Sequence, residues 1–181
     1  MTEPAAPEAP VADAKDWAWV TQRQCPECGF DPATVEQADL PELILGSAER
    51  YEVAVEKKDA EKRQWPDVWS PIEYGMHVAD VIELMGQRLE AILDGEGEPA
   101  AFDDWDQDAA AVEKEYWLAN GHATAVLIRE RAEAAAKDWA EPEGEQWGWV
   151  GRRGDGTEFT AQSLGLYLAH ELIHHLHDIN G

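Results

Sequence analysis

Three of the six histidines in the chain lie where a helical repeat places core residues. His77 shares a helical face with apolar residues four, seven, eight and fifteen positions further on. His170 and His174 are one helical turn apart and also share a face with apolar residues. Each unsatisfied buried imidazole costs on the order of 1–3 kcal/mol, and a shared cation would satisfy all three. We therefore predict that His77, His170 and His174 hold one divalent metal ion, with coordination positions left open for water or substrate.

Other interpretations of these histidines compete with the shared ion. His77 alone is compatible with a hydrogen-bonded core histidine. His170 and His174 are compatible with a pair that interacts favourably with the helix dipole near the C-terminus of the helix. His170 to His174 also matches the H-E-x-x-H signature of zinc proteases, in which the glutamate is the general base. Those enzymes take a third ligand downstream, where His177 lies about 10.5 Å further along the helix axis than His170. A third ligand from another helix, His77, is therefore favoured.

The remaining histidines and the nearby carboxylates have less specific signals. His175 is predicted to face away from the metal as a polar or interface residue, and His122 stays unassigned. Glu73, Asp80 and Asp178 lie within one turn of a predicted ligand and are candidates for orienting the imidazoles. A solvated acidic face is the alternative for each of them, since the chain has 38 acidic residues.

The only two cysteines, Cys25 and Cys28, are separated by two residues and resemble half of a zinc knuckle. No second C-x-x-C is present to complete four ligands. A zinc ion shared across a dimer, a reversible disulfide and a simply packed pair all stay open, so the pair is a candidate for a secondary zinc or redox site. We do not assign it to the predicted catalytic metal.

Four helices are predicted from apolar spacing and from helix-start signals, and the fourth is apolar almost all round. The first begins at Asp39 as N-cap, and the second runs from Ser70, whose capping box includes Glu73, to about Gly95. The third runs from about Asp106 to Trp139, and the fourth begins near Thr160.

The predicted helices indicate an all-α fold, a four-helix bundle with an irregular N-terminal segment. Asp155 and Gly156 indicate a tight turn or small hairpin before the last helix, but no alternation persists long enough to predict a sheet. We divide the chain into a disordered acidic and proline-rich tail (1–15), an irregular C-x-x-C segment (16–35) and the bundle (36–181).

The charge balance restricts the classes of partner. With 14 basic and 38 acidic residues, the formal charge is -24, and such a surface repels nucleic-acid phosphates. The absence of a membrane-length apolar run and of a signal peptide predicts no membrane partner and a cytoplasmic location. Most of the nine tryptophans are expected in the core or in pocket walls.

The segment Met76 to Asp80, followed far downstream by HELIHHLHDI, resembles the DinB-like superfamily over residues 36–181. That superfamily includes YfiT-type proteins and the metal-binding domain of mycothiol-dependent maleylpyruvate isomerase. The resemblance implies a four-helix bundle with a three-histidine site for a divalent metal, often zinc or nickel. It further implies thiol-dependent transferase or isomerase activity with mycothiol or bacillithiol, or, in some members, hydrolase activity.

The function we expect is that of a divalent-metal-dependent enzyme acting on a small molecule. The favoured reaction is S-transfer or isomerisation with a low-molecular-weight thiol bound to the metal as thiolate. Mycothiol is the favoured thiol, because the composition is typical of a high-GC genome. A hydrolase with metal-activated water and a non-catalytic metal- or ligand-binding module stay open, as does a homodimer formed through bundle faces. A cavity that reaches the metal would favour the enzymatic hypotheses over the non-catalytic binding module.

Overall fold

The structure, a computed structural model, describes Pro7 and residues 17–181. Apart from Pro7, the predicted tail at residues 1–15 lies outside the described residues. The described chain forms five α-helices and three short strands. The helices are α1 (Leu40–Val55), α2 (Pro71–Asp94), α3 (Gln107–Glu113), α4 (Gly121–Asp138) and α5 (Ala161–Asp178), and the strands are β1 (Ala100–Phe102), β2 (Val150–Arg153) and β3 (Glu158–Thr160).

The four long helices α1, α2, α4 and α5 form a bundle, which confirms the predicted all-α fold class. α1 and α2 each pack against both α4 and α5. α2 begins as predicted: Ser70 Oγ accepts from the backbone N–H of Glu73 at 3.2 Å, and the Glu73 carboxylate accepts from that of Ser70 at 2.8 Å. α1 also begins where predicted, with Asp39 at the N-cap position, but the Asp39 side chain does not cap this helix. Its carboxylate accepts from the backbone N–H of Glu36 in the preceding 3₁₀ turn instead.

The predicted third helix, from Asp106 to Trp139, is divided into α3 and α4. Glu115 adopts a left-handed backbone conformation (φ 49°), which ends the first part. Asn120 then caps α4 through its side chain, which accepts from the backbone N–H of Ala123. Gly121 is needed at this start because a Cβ there would lie 2.3 Å from the carbonyl oxygen of Val55. Because the predicted helix is divided here, the N-terminus of α4 packs directly against the C-terminus of α1.

The hairpin predicted around Gly156 is present, but it belongs to a three-stranded sheet that was not predicted. β2 pairs antiparallel with β3 and parallel with β1. Gly156 occupies the connection between β2 and β3 with φ 91°. Strands of three or four residues are too short to show the alternation by which a sheet is recognised in a sequence.

Residues 17–39 contain three short 3₁₀ turns, the first of which packs on α5. Val20 and Phe30 from this segment are buried. The predicted boundaries at residues 16–35 and 36–181 stay predictions. In the part of the chain that the structure describes, none of the helices combines the length and apolar character needed to cross a bilayer.

Candidate metal centre

His77 of α2 meets Glu171 and His175 of α5 in the interior of the bundle. One ligand atom from each of the three side chains lies within 4.8 Å of the other two. The Glu171 carboxylate is 3.6 Å from His77 Nε2 and 3.4 Å from His175 Nε2. Glu171 and His175 are four residues apart, so the helical repeat brings them to the same stripe of α5, facing α2.

Aromatic rings enclose His77, and its ring nitrogens make no hydrogen bonds to the described residues. The imidazole is fully buried and packs against Trp69 at 5.1 Å and Trp105 at 5.5 Å between ring centroids. Among the described residues, neither ring nitrogen has a hydrogen-bond partner. Such orphaned nitrogens beside a carboxylate and a second imidazole fit a divalent cation, for which two histidines and one carboxylate are an established ligand set.

The electrostatics of His77 and Glu171 favour the same interpretation, whereas His175 has to release a proton before it can bind a cation. Burial lowers the pKa of His77, which keeps its imidazole neutral and able to bind a cation. Burial also acts to lower the pKa of His175, but the carboxylates of Asp178 and Glu171 outweigh it and raise that pKa to about 9. Burial acts to raise the pKa of Glu171, whereas the adjacent imidazoles of His175 and His77 outweigh it and hold the pKa well below its usual range. Glu171 is therefore anionic at neutral pH.

The structure does not bring His170 and His174 to this group. Their imidazoles lie on the neighbouring stripe of α5, where their ligand atoms and the thiols of Cys25 and Cys28 all lie within 4.8 Å of one another. The prediction of one ion shared by His77, His170 and His174 is corrected accordingly.

The prediction that His175 faces away from the site was also wrong. Its ring centroid is 4.8 Å from that of His77. Positions 170 and 174 differ from 171 and 175 by one residue, or about 100° around the helix. Only the packing of α2 decides which pair meets His77. The sequence did contain the signal, since Glu171-x₃-His175 has the same four-residue spacing as the histidine pair.

Three carboxylates are predicted to orient a metal-binding imidazole, and in the described residues Asp178 contacts the imidazole of His175. Its Oδ2 accepts a hydrogen bond from His175 Nδ1 at 2.8 Å, an arrangement that fixes the ring with Nε2 towards Glu171. The carboxylate of Glu73 instead caps α2 and pairs with Arg63. The carboxylate of Asp80 accepts from Lys114, Tyr116 and Arg131.

Two further histidines lie apart from both groups. His122, for which the sequence predicts no role, is exposed at the start of α4, and its Nδ1 is 2.8 Å from the Glu56 carboxylate. His177 is exposed near the end of α5.

A cavity of about 990 Å³ reaches the group formed by His77, Glu171 and His175. Glu171 and His175 line it directly, and His77 lies behind the ring of His175. As expected, some of the tryptophans form pocket walls and others lie in the core. Trp17, Trp69 and Trp105 line the cavity, whereas Trp139 and Trp147 are in the core.

Comparison with known proteins supports the fold and the family. The sequence model of the DinB superfamily matches residues 44–179, well over half of the chain. No curated protein matches the chain. A similar solved structure is that of YfiT from Bacillus subtilis, described as a probable metal-dependent hydrolase with an unusual four-helix bundle topology. The two share 18% sequence identity with a TM-score of 0.68, over 86% of this chain and 89% of YfiT.

Proposed function

The chain belongs to the DinB superfamily, and we propose that it is a divalent-metal-dependent enzyme that acts on a small molecule at His77, Glu171 and His175. One observation carries this proposal. A fully buried imidazole, whose two nitrogens make no hydrogen bond to the described residues, meets a carboxylate and a second imidazole, both of which line a cavity. The burial explains why these polar groups need a cation, and the cavity gives a substrate access to it.

The chain's own residues have separable roles in this proposal. His77, Glu171 and His175 hold the cation, and Asp178 orients the ring of His175. Trp69 packs on the His77 ring and excludes water from that side. A divalent cation at this position lowers the pKa of a bound thiol or water, and so supplies a nucleophile at neutral pH.

We favour a low-molecular-weight thiol as the source of the nucleophile, with mycothiol as the candidate. The cavity lies at the upper end of the range of about 300–1,000 Å³ that is usual for small-molecule sites. This volume supports binding of a thiol cofactor beside a second small molecule. The reaction would then be S-transfer or isomerisation, and zinc and nickel are the candidate metals.

Hydrolysis is the second candidate function, and the ligand set favours it. Two histidines and one glutamate are the ligands of several zinc hydrolases, in which water occupies the open position. YfiT, which shares the fold, is described as a probable metal-dependent hydrolase. The third alternative, a non-catalytic binding module, is disfavoured by the access of the cavity to Glu171 and His175.

The experiment that tests the proposal is a turnover assay on the full chain loaded with zinc or nickel. The wild-type chain, His175→Ala and His122→Ala are each assayed with and without mycothiol. The substrates are a panel of electrophiles and a panel of esters and amides. We expect turnover that needs mycothiol and is lost in His175→Ala. Turnover should be retained in the control His122→Ala, because the His122 ring is exposed at the start of α4, away from the site. Turnover without any thiol would assign the hydrolase function. Equal turnover by His175→Ala would overturn the site itself.

A further inference from the structure

Cys25, Cys28, His170 and His174 form a second cluster of metal-binding side chains, on the stripe of α5 next to the one that faces His77. One ligand atom from each lies within 4.8 Å of the other three. The Cys25 sulfur is 3.8 Å from Nδ1 of His174. In a tetrahedral zinc site, bond lengths of about 2.0–2.3 Å place the ligand atoms roughly 3.3–3.8 Å apart. The cluster is therefore close to the size of a zinc coordination sphere.

The local backbone presents the two thiols together. The backbone N–H of Gly29 donates to the carbonyl of Cys25 at 2.9 Å, and that of Cys25 donates to the carbonyl of Phe30 at 2.8 Å. Gly29 makes this tight turn with φ 79°, a conformation that favours glycine. The turn projects Cys25 and Cys28 towards α5, where the histidine pair is separated by one helical turn. Spacings of C-x₂-C and H-x₃-H are those of structural zinc sites.

Burial without hydrogen bonds is the independent sign that a ligand belongs at this cluster. His170 is 1% exposed, and among the described residues neither of its ring nitrogens has a hydrogen-bond partner. Cys25 is fully buried, and both thiols are free. A disulfide would leave the His170 nitrogens unsatisfied, whereas a cation satisfies all four side chains.

We propose that Cys25, Cys28, His170 and His174 bind a structural Zn²⁺ that fastens the segment at residues 17–39 to α5. The second half of the site comes from the same chain, so no partner subunit is needed to complete it. Four protein ligands leave no coordination position open, which is the property of a structural rather than a catalytic zinc site. This proposal does not depend on the proposed function, because it uses none of the ligands at His77, Glu171 and His175.

Cobalt substitution of the full chain under reducing conditions tests the site. A Co²⁺ ion bound by two thiolates and two imidazoles gives a sulfur-to-cobalt charge-transfer band and intense tetrahedral d–d bands. We expect both features in the wild-type chain and in His77→Ala, the matched control, and loss of the charge-transfer band in Cys25→Ser/Cys28→Ser. Cobalt binding without a charge-transfer band in the wild-type chain would overturn the proposal.

Protection of the thiols from alkylation is a second measurement, and it uses only the wild-type chain. In the wild-type chain loaded with Zn²⁺, we expect both cysteines to resist alkylation by iodoacetamide and to react after chelation. Alkylation at the same rate with and without Zn²⁺, or recovery of the pair as a disulfide from reducing buffer, would contradict a zinc site.

Discussion

His174 and His175 are adjacent in the sequence but serve different clusters. Their ring centroids are 5.6 Å apart, and their planes are inclined by 82°. His174 faces the Cys25 thiol, whereas His175 faces His77 and Glu171. One helix thus carries ligands for two candidate metal sites on neighbouring stripes, and this relationship allows the sites to be tested separately.

Substitution of either site by alanine should remove one metal ion without removing the other. His77→Ala and His175→Ala are expected to lose the ion at Glu171, because one remaining imidazole and one carboxylate bind too weakly. The thiol-bound ion should remain in both variants. Elemental analysis after gel filtration measures the stoichiometry, with His177→Ala as the control near the end of the same helix. Unchanged metal content in His77→Ala would contradict the assignment.

Asp178→Asn should weaken metal binding at the same site by about 10–100-fold, since loss of a carboxylate that orients an imidazole has effects of this size. Asp178 accepts from His175 Nδ1 at 2.8 Å but does not itself belong to the ligand group. Competition with a chromogenic chelator measures the affinity. Asp178→Glu should recover part of it, whereas Asp59→Asn, in an exposed pair with Lys62, should leave it unchanged. Wild-type affinity in Asp178→Asn would exclude the orienting role.

Asp80→Asn should destabilise the fold by about 3 kcal/mol at pH 7, since it removes the charge of a buried carboxylate that pairs with Arg131 and Lys114. Burial acts to raise the pKa of Asp80, but hydrogen bonds from Lys114, Tyr116 and Arg131 outweigh it and lower the pKa below its ordinary value of 3.8. The depressed pKa means that the carboxylate stabilises the fold above pH 3.8.

That stabilisation is lost as the pH falls through the lower pKa of the folded protein. Urea unfolding at several pH values from 7 to 2.5 measures the free energy of unfolding of wild type and of Asp80→Asn. The difference between these two free energies should become smaller only at the acid end of the range. A difference that instead grows towards low pH would contradict the sign of this linkage.

Gly121→Ala and Gly46→Ala should have opposite effects on stability, although both add one methyl group to a helix. At Gly121 the new Cβ would lie 2.3 Å from the Val55 carbonyl oxygen, so we expect a loss of about 1–3 kcal/mol. At Gly46 the space is open, and we expect a gain of about 0.5–1 kcal/mol from helix propensity. Urea midpoints measure both, and equal shifts would refute the close contact between α1 and α4.

The sequence was sufficient to predict the fold class, because the apolar repeats and the capping box at Ser70 and Glu73 are local signals. The break at Asn120 was missed because apolar spacing continues across it, and the capping signal is weaker than the periodicity. β1 was missed because its pairing with β2 is a long-range contact between very short strands.

The candidate sites were predicted only in part for a related reason. The sequence of α5 contains two overlapping four-residue pairs, His170 with His174 and Glu171 with His175, and spacing alone does not say which pair faces α2. Likewise, the partners of Cys25 lie about 150 residues away, which no local motif could show.

The most direct test of the central claim is anomalous diffraction at the zinc edge from crystals of the full chain grown with zinc. We predict one anomalous peak bonded to His77, Glu171 and His175, distinct from any peak at the thiols of Cys25 and Cys28. A single peak shared by His77, His170 and His174, or no peak beside His77, would contradict the account.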